Sequence, residues 1–299
     1  MRELVVISGK GGTGKTSITA SFAVLARPAV VADCDVDAAD LHLVLSPEVQ
    51  RTERFRAGRE AVIRPDACTG CGTCRERCRF EAVRAGTGPN GATWFAVDSL
   101  ACEGCGVCVH ACPAHAIDFP ERDCGEWFVS GTRAGPMVHA RLGVAAENSG
   151  KLVTLVRRQA KEIAERDGLD LVLVDGPPGI GCPVIASLTG ATGVLAVTEP
   201  TVSGEHDLER VLAVARHFGI PVAVCVNKWD LNPGMAERIE RLAAGRGARI
   251  AGRVRYDPAV TAAQIRARTV VEVGGGAARD IRALWSAVGC AAGGVDAPG

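Results

Sequence analysis

The chain has 299 residues, with 34 Lys plus Arg against 34 Asp plus Glu and 47% hydrophobic residues. That length holds one large domain or two smaller ones, each with a real core. The formal charge of zero points to neither nucleic acid nor an anionic membrane surface, and no 18-residue apolar run offers a transmembrane helix.

The N-terminus runs straight into a strand, which leaves no room for a signal peptide, so a cytoplasmic location is expected. Thirteen cysteines in such a chain point to metal binding rather than disulfides. The first strand is the apolar run Leu4-Val5-Val6-Ile7, and a small-residue helix follows from Ser17 to Leu25. Between them lies Gly9-Lys10-Gly11-Gly12-Thr13-Gly14-Lys15-Thr16, the G-x-x-x-x-G-K-[ST] pattern. Its glycines let backbone N–H groups turn onto phosphates, and the helix N-terminus adds a positive dipole end. Lys15 can reach the β- and γ-phosphates and the Thr16 hydroxyl can hold Mg²⁺, with Ser17 completing the nucleotide-binding set. A glycine turn matching by chance is the competing reading, and the strand–loop–helix context argues against it.

The loop carries a second lysine, Lys10, and so reads K-G-G-x-G-K-[ST] from that position. Here the chain resembles the MinD, Mrp and nitrogenase-iron-protein ATPases. The resemblance implies an α/β fold with a doubly wound, mostly parallel sheet and a nucleotide-dependent homodimer. Lys10 would then act in trans on the partner's ATP, and Lys10, Lys15 and Asp35 would form the catalytic set.

Next, Ala29-Val30-Val31-Ala32 reads as a strand that delivers Asp33-Cys34-Asp35 at its C-terminal end, where α/β sheets bind ligands. The resemblance implies Asp33 for the Mg²⁺ shell and Asp35 for orienting the attacking water. Without it, a helix cap plus solvated acids is the lesser, competing reading. Cys34 reads as a small buried side chain. Residues 51–64, with Arg51, Arg54, Arg56, Arg59 and Arg64, read as a solvated connector or a docking surface for an acidic partner.

The composition then changes. Cys68-x-x-Cys71-x-x-Cys74-x-x-x-Cys78 is followed by Cys102-x-x-Cys105-x-x-Cys108-x-x-x-Cys112-Pro113. Two such runs are the bacterial ferredoxin pattern for two [4Fe–4S] clusters, in which the fourth Cys of each run ligates the other cluster. The expected ligand sets are therefore Cys68, Cys71, Cys74 and Cys112, and Cys102, Cys105, Cys108 and Cys78. Gly70, Gly72, Gly104 and Gly106 would let the backbone wrap closely. Tetrahedral zinc is the alternative for paired C-x-x-C motifs. Arg79 follows Cys78 where the ferredoxin pattern has Pro, a departure that could alter access or potential at the second cluster. Thr93–Val97 reads as a small strand after a turn at Gly88–Gly91, and the half-repeat recurs once. An inserted α+β ferredoxin-like domain is expected over 64–120, interrupting a nucleotide domain of 1–63 and 121–290, with a frayed tail at 291–299.

Residues 126–142 read as a hairpin with its turn at Gly131–Pro136, and His139 as an ordinary strand residue. A helix is expected from Glu147 to about Arg166. Leu171-Val172-Leu173-Val174-Asp175-Gly176 then reads as a strand ending in a Walker-B acid, with Asp175 on Mg²⁺ and Gly176 and Gly179 in a mobile switch. Cys182 follows Asp175 at the offset where the nitrogenase iron protein holds a cluster-bridging cysteine. The resemblance suggests an additional thiol site, with Cys124 as the nearby second candidate, although a packed thiol near the dimer interface is the larger reading. Gly193–Pro200 reads as a strand, about Ser203 to His217 as a helix, and Val222–Val226 as a further strand. This last strand ends in Asn227-Lys228-Trp229-Asp230. The resembled ATPases place an Asn here on adenine, whereas Asn-Lys-x-Asp is also a guanine-reading pattern. Tyr256-Asp257-Pro258 reads as a second loop over the base, and a last helix runs from about Ala277 to Val288.

The whole reads as an ATPase whose nucleotide state governs two [4Fe–4S] clusters. ATP, Mg²⁺ and both clusters are its expected cofactors, and an unidentified redox or cofactor-assembly protein its partner. Two outputs stay open: gated electron donation, or carriage and assembly of a metallocluster as in the Mrp branch. A positioning ATPase of the MinD type lacks a basic amphipathic C-terminal helix here.

Overall fold

The computed structural model describes residues 1–87, 91, 93–143 and 149–291, with 290 and 291 as backbone. In chain order the elements are β1 (Arg2–Ser8), α1 (Lys15–Ala26), β2 (Val30–Asp33), α2 (Leu41–Leu45), β3 (Glu48–Arg59) and β4 (Val62–Ile63). Then come α3 (Thr73–Glu76), β5 (Val83–Thr87), β6 (Thr93–Val97), α4 (Val107–Ala111), β7 (Ile117–Asp118), β8 (Glu121–Thr132) and β9 (Gly135–Leu142). The last part holds α5 (Ser149–Arg166), β10 (Leu171–Pro178), α6 (Cys182–Leu188), β11 (Gly193–Thr198), α7 (Val202–His217) and β12 (Val222–Asn227). It closes with α8 (Pro233–Gly245), β13 (Arg249–Val254), α9 (Pro258–Ile265), α10 (Val270–Val273) and α11 (Gly276–Ala291). The turn expected at 88–90, the helix start at 147–148 and the tail at 292–299 lie outside the described residues.

The chain divides into two compact units. The first comprises Met1–Glu53, Glu126–Leu142 and the chain from Ser149 onward; the second comprises Arg54–Gly125 with 143–148. The expected insert, 64–120, falls within the second unit. β3 and β8 each contain a junction between the units, so the segment expected as a connector is mostly strand. Its reason is visible in the side chains. Phe55 and Ala57 are buried while Arg54, Arg56 and Gly58 are exposed, the period-two alternation of a half-buried strand.

The first unit is built on a sheet of order β13-β12-β11-β1-β10-β2-β9-β8-β3. Every pair from β13 to β9 is parallel. The central strands carry continuous apolar runs, with Val5, Val6, Ile7, Val172, Leu173 and Val174 fully buried. That is the mark of a parallel sheet covered on both faces by helices. Its order brings the C-terminal ends of β1, β2 and β10 side by side, and Val174 pairs with Ala32 and Asp175 with Asp33 in register. The phosphate loop and both expected Mg²⁺ acids therefore share one sheet edge.

The second unit has two small two-stranded antiparallel sheets, β4 with β7 and β5 with β6. Its core is the cluster of Ala61, Ile63, Val83, Phe95, Ile117 and Cys74, against which five more cysteines pack. Thiols thus supply much of the interior that apolar side chains would fill in a domain this small.

Candidate functional site

The phosphate loop turns where its glycines are required. Gly12 and Gly14 have φ of 80° and 87°, a left-handed region closed to most side chains. A Cβ on Gly14 would also stand 2.4 Å from Asn227 Nδ2. Asn227 is 8% exposed and its Nδ2 donates to the Thr13 carbonyl at 2.8 Å. Its Oδ1 accepts from the Lys228 N–H at 3.0 Å. The residue expected at the base thus also fastens the phosphate loop to β12.

Lys15 begins α1 and is buried. Its Nζ donates to Asp35 Oδ2 at 2.5 Å. The Thr16 hydroxyl donates to Asp175 Oδ2 at 2.7 Å, and Thr19 Oγ1 to Asp175 Oδ1 at 3.1 Å. Asp33 accepts from the Asp35 and Leu41 N–H groups, each at 3.3 Å. Asp33, Asp35 and Asp175 are all buried around the one ammonium. Burial alone would depress Lys15, but Asp175, Asp35 and Asp33 more than offset it and raise its pKa. Burial and the Asp175 charge push Asp33 well above the usual carboxylate range. Burial likewise raises Asp175, although Lys15 and two hydroxyls oppose it. Cys34, between the switch acids, is fully buried and its thiol is pushed up by that burial.

These groups adjoin a cavity of about 650 Å³ whose lining includes Gly12, Lys15, Thr16, Asp35, Asn227 and Tyr256. That volume falls within the range of small-molecule sites. Asp257 and Val260 also line it, so the segment expected over the base does border it. Asp230 accepts from the Tyr256 N–H at 2.7 Å and so ties that segment to the turn after β12. Lys10 stays beside its own loop, where its Nζ donates to Ser203 Oγ at 3.1 Å.

In the second unit the eight run cysteines fall around two further cavities. Cys68, Cys71, Cys74 and Cys112 line one. Cys102, Cys105, Cys108 and Cys78 line the other. The fourth cysteine of each run thus stands with the other run's first three. Gly70, Gly72, Gly104 and Gly106 all have positive φ, and a Cβ on Gly104 would lie 2.3 Å from the Arg59 carbonyl oxygen. The Ala116 N–H donates to Cys112 Sγ at 3.4 Å. Burial raises the Cys74 and Cys108 thiols, and neighbouring sulfur charges, including Cys78 on Cys108, raise them further. Among the described residues no three His, Cys, Asp or Glu side chains come close enough to share one metal ion. Four thiolates spread around a cavity suit a multi-iron body, with one thiolate to each iron.

Cys182 is exposed at the start of α6, whereas Cys124 is buried on β8 and its Sγ donates to the Ala57 carbonyl at 3.1 Å. His139 shares a 2.9 Å hydrogen bond with Ser130, and burial lowers its pKa to about 4, so it is neutral at pH 7. Among the described residues no helix is long and apolar enough to cross a membrane.

Sequence reasoning missed three features of the first unit. They are the Glu199 carboxylate beside Lys10, the Gln264 Nε2 donation to Ser17 Oγ at 2.8 Å, and the buried Glu3–Arg157 pair at 2.6 Å. Each joins residues far apart in the chain, so no local pattern announces it.

The family model of the CobQ/CobB/MinD/ParA nucleotide binding domain matches residues 4–270. An uncharacterized protein of Methanocaldococcus jannaschii is 31% identical over 233 residues, 77% of this chain and 79% of that protein. A second uncharacterized protein of that organism is 24% identical over 264 residues, 78% of this chain and 83% of its own length. Among solved structures, the septum site-determining protein MinD of Pyrococcus horikoshii, complexed with Mg-ADP, superposes with a TM-score of 0.59. That match is 15% identical and covers 98% of this chain and 97% of the other. The cell division ATPase MinD of Pyrococcus furiosus gives 0.56 at 18% identity, over 97% and 99%. These two likenesses concern the fold alone.

Proposed function

The chain belongs to the CobQ/CobB/MinD/ParA nucleotide-binding family, and we propose that it is an ATPase whose nucleotide state governs electron transfer through two [4Fe–4S] clusters. One observation carries the proposal: eight cysteines in ferredoxin spacing surround two cavities, four to each, in crossed order. The donor chemistry fits the clusters, since every ligand position is a thiol and left-handed glycines bring the backbone close around each cavity. When bound, the clusters would accept and release single electrons for a redox or metallocofactor-processing partner.

At the nucleotide, three buried carboxylates face one ammonium, a surplus of negative charge that suits Mg²⁺ with ATP. Lys15 would move from Asp35 to the β- and γ-phosphates, and Asp35 would then be free to orient the attacking water. Thr16, Asp33 and Asp175 would hold the Mg²⁺ shell, Asp175 already being in contact with the Thr16 hydroxyl. Lys10 would complete the site of a second copy in an ATP-bound homodimer. Asn227 and Asp230 would lie toward the base, and family membership favours adenine. The carrier alternative would use Cys182 with Cys124, but the Cys124 thiol is buried and hydrogen-bonded, which favours electron transfer.

The test pairs turnover with iron content in anaerobically purified protein. Wild type should hold about eight iron and eight sulfide per chain. Lys15→Ala and Asp175→Ala should lose ATP hydrolysis and keep that iron. Retained hydrolysis would refute the nucleotide site, and iron-free wild type would refute the clusters.

A further inference from the structure

We propose that the two four-cysteine sites are electronically unequal, and that Thr73 is a positioning residue which, with the Ala116 N–H, makes the Cys68, Cys71, Cys74 and Cys112 site the easier one to reduce. The inference rests on the reading above that each site holds a [4Fe–4S] cluster.

The second unit contains its own control, because its two cysteine runs repeat one backbone path. Gly70 and Gly104 have φ of 70° and 62°, and Gly72 and Gly106 have 80° and 72°. Glu81 and His115, at equivalent positions beyond the last cysteine of each run, have 53° and 49°. The turns there match as well. The Glu81 N–H donates to the Cys78 carbonyl at 3.3 Å, and the His115 N–H to the Cys112 carbonyl at 3.2 Å. Differences between the sites therefore come from individual side chains and N–H groups, not from a different course of the chain.

Three equivalent positions differ. In Cys71-Gly72-Thr73-Cys74 the Thr73 hydroxyl lies 3.5 Å from Cys71 Sγ, whereas Cys105-Gly106-Val107-Cys108 carries valine and no hydroxyl. A free thiol donates to that oxygen, but a ligating thiolate only accepts, so the hydroxyl rotates to donate to the sulfur. The Ala116 N–H donates to Cys112 Sγ at 3.4 Å, and among the described residues the equivalent Ala82 N–H makes no bond to Cys78. Cys71 and Cys112 line the same cavity, so both donors serve one site. Thr69 lines that cavity too, while the equivalent Glu103 lines the other. Arg79 opposes Glu103, since its guanidinium lies 5.6 Å from the centre of the Phe80 ring, and Phe80 lines the second cavity. Glu103 and Arg79 are both exposed, so water screens these opposed charges and the sulfur donors set the order. Adding one electron adds one negative charge to a site already ringed by four thiolates. Hydrogen bonds to the sulfurs stabilise that charge and raise the reduction potential. A single electron from a one-electron donor thus settles at the Thr73 site, and the Val107 site is the stronger reductant once both are filled.

Dithionite titration of full-length, iron-quantified, anaerobic protein, followed by EPR, reads both midpoints. Wild type should show two, the higher belonging to the signal that Cys112→Ser perturbs. Thr73→Val should shift that reduction equilibrium about tenfold, the factor for losing one hydrogen bond to a charged group. For a one-electron couple this lowers the higher midpoint by about 59 mV, with the other left in place. Thr73→Ser keeps the hydroxyl and should titrate as wild type. A Thr73→Ser midpoint as low as that of Thr73→Val would mark a packing effect and overturn the inference. So would an unmoved higher midpoint in iron-replete Thr73→Val, or a shift of the lower one instead. If Thr73→Val loses its iron, Val107→Thr decides. It supplies the missing hydroxyl beside Cys105 and should raise the lower midpoint by a similar factor, and an unmoved midpoint refutes the inference. The failures are separable. Iron-free wild type would defeat the cluster reading itself, whereas iron-replete wild type with its higher midpoint at the Cys105 signal defeats this inference alone.

Discussion

Replacing Asn227 with alanine removes the contact that fastens the phosphate loop to β12. Two hydrogen bonds are lost, one to the Thr13 carbonyl at 2.8 Å and one from the Lys228 N–H at 3.0 Å. They do not cost the same. Lys228 is partly exposed, so its N–H can turn to water, whereas Thr13 is 1% exposed and its carbonyl loses a buried partner. A buried acceptor left unsatisfied costs about 1–3 kcal/mol. If that cost falls on the nucleotide-competent loop, affinity drops roughly 5- to 150-fold. Asn227→Asp should be worse, because a carboxylate oxygen would then face the Thr13 carbonyl. The order Asn, Ala, Asp is measured by titrating a fluorescent ATP analogue, with thermal denaturation as a check on folding. Since the contact is to the loop, unlabelled ATP and GTP should both weaken as competitors. Undiminished affinity in Asn227→Ala, or a loss confined to one base, would refute the loop-fastening account.

Cysteine substitutions test the crossed ligation. Cys78→Ser and Cys105→Ser should perturb the same one of two EPR signals, and Cys71→Ser and Cys112→Ser the other. ATP binding should survive in all four, and Cys78→Ser tracking Cys71→Ser would contradict the crossing. Stability should also depend on pH through Glu272. Its carboxylate accepts from Arg133 at 2.8 and 2.9 Å and caps α10 with Thr269, and the Arg133 bonds hold its pKa down at about 2 from an ordinary 4.5. A pKa lowered by folding contributes stability above about pH 4.5 that is lost as the pH falls toward 2. The full lowering would correspond to about 3.4 kcal/mol, which solvent screening at this partly exposed pair cuts to about 2–3 kcal/mol. Arg133→Met should therefore lower the denaturation midpoint at pH 7 and narrow its difference from wild type near pH 2. An equal gap at both pH values would rule out this linkage.

The nucleotide site was legible because its motifs are local and each ends a strand. Apolar β1, β2 and β10 lead directly into the loop, Asp33 and Asp175, and the parallel order of the sheet then places those ends together. The cysteine runs were legible because each is a short local pattern, and the structure gathers the eight residues four and four around two cavities. β3 was not, since five arginines in 51–64 obscure the alternation of Phe55 and Ala57. β13 was also missed. Its Arg249, Gly252 and Arg253 interrupt an apolar pattern, and the strand is held by register with β12 and by the Arg253–Glu240 pair at 2.6 Å. Glu199 and Arg157 belong to a third kind, in which the chemistry depends on a partner nearly two hundred or more than one hundred and fifty residues away. Pattern reading along the chain does not reach such pairs.

The central claim is that nucleotide state governs the redox behaviour of the clusters. Anaerobic EPR of dithionite-reduced, iron-quantified protein, recorded without nucleotide, with MgADP and with MgATP, tests it most directly. The account predicts two reduced [4Fe–4S] signals whose line shape or midpoint potential differs between MgATP and MgADP, and loses that difference in Lys15→Ala. Two signals indifferent to nucleotide in wild-type protein would contradict it.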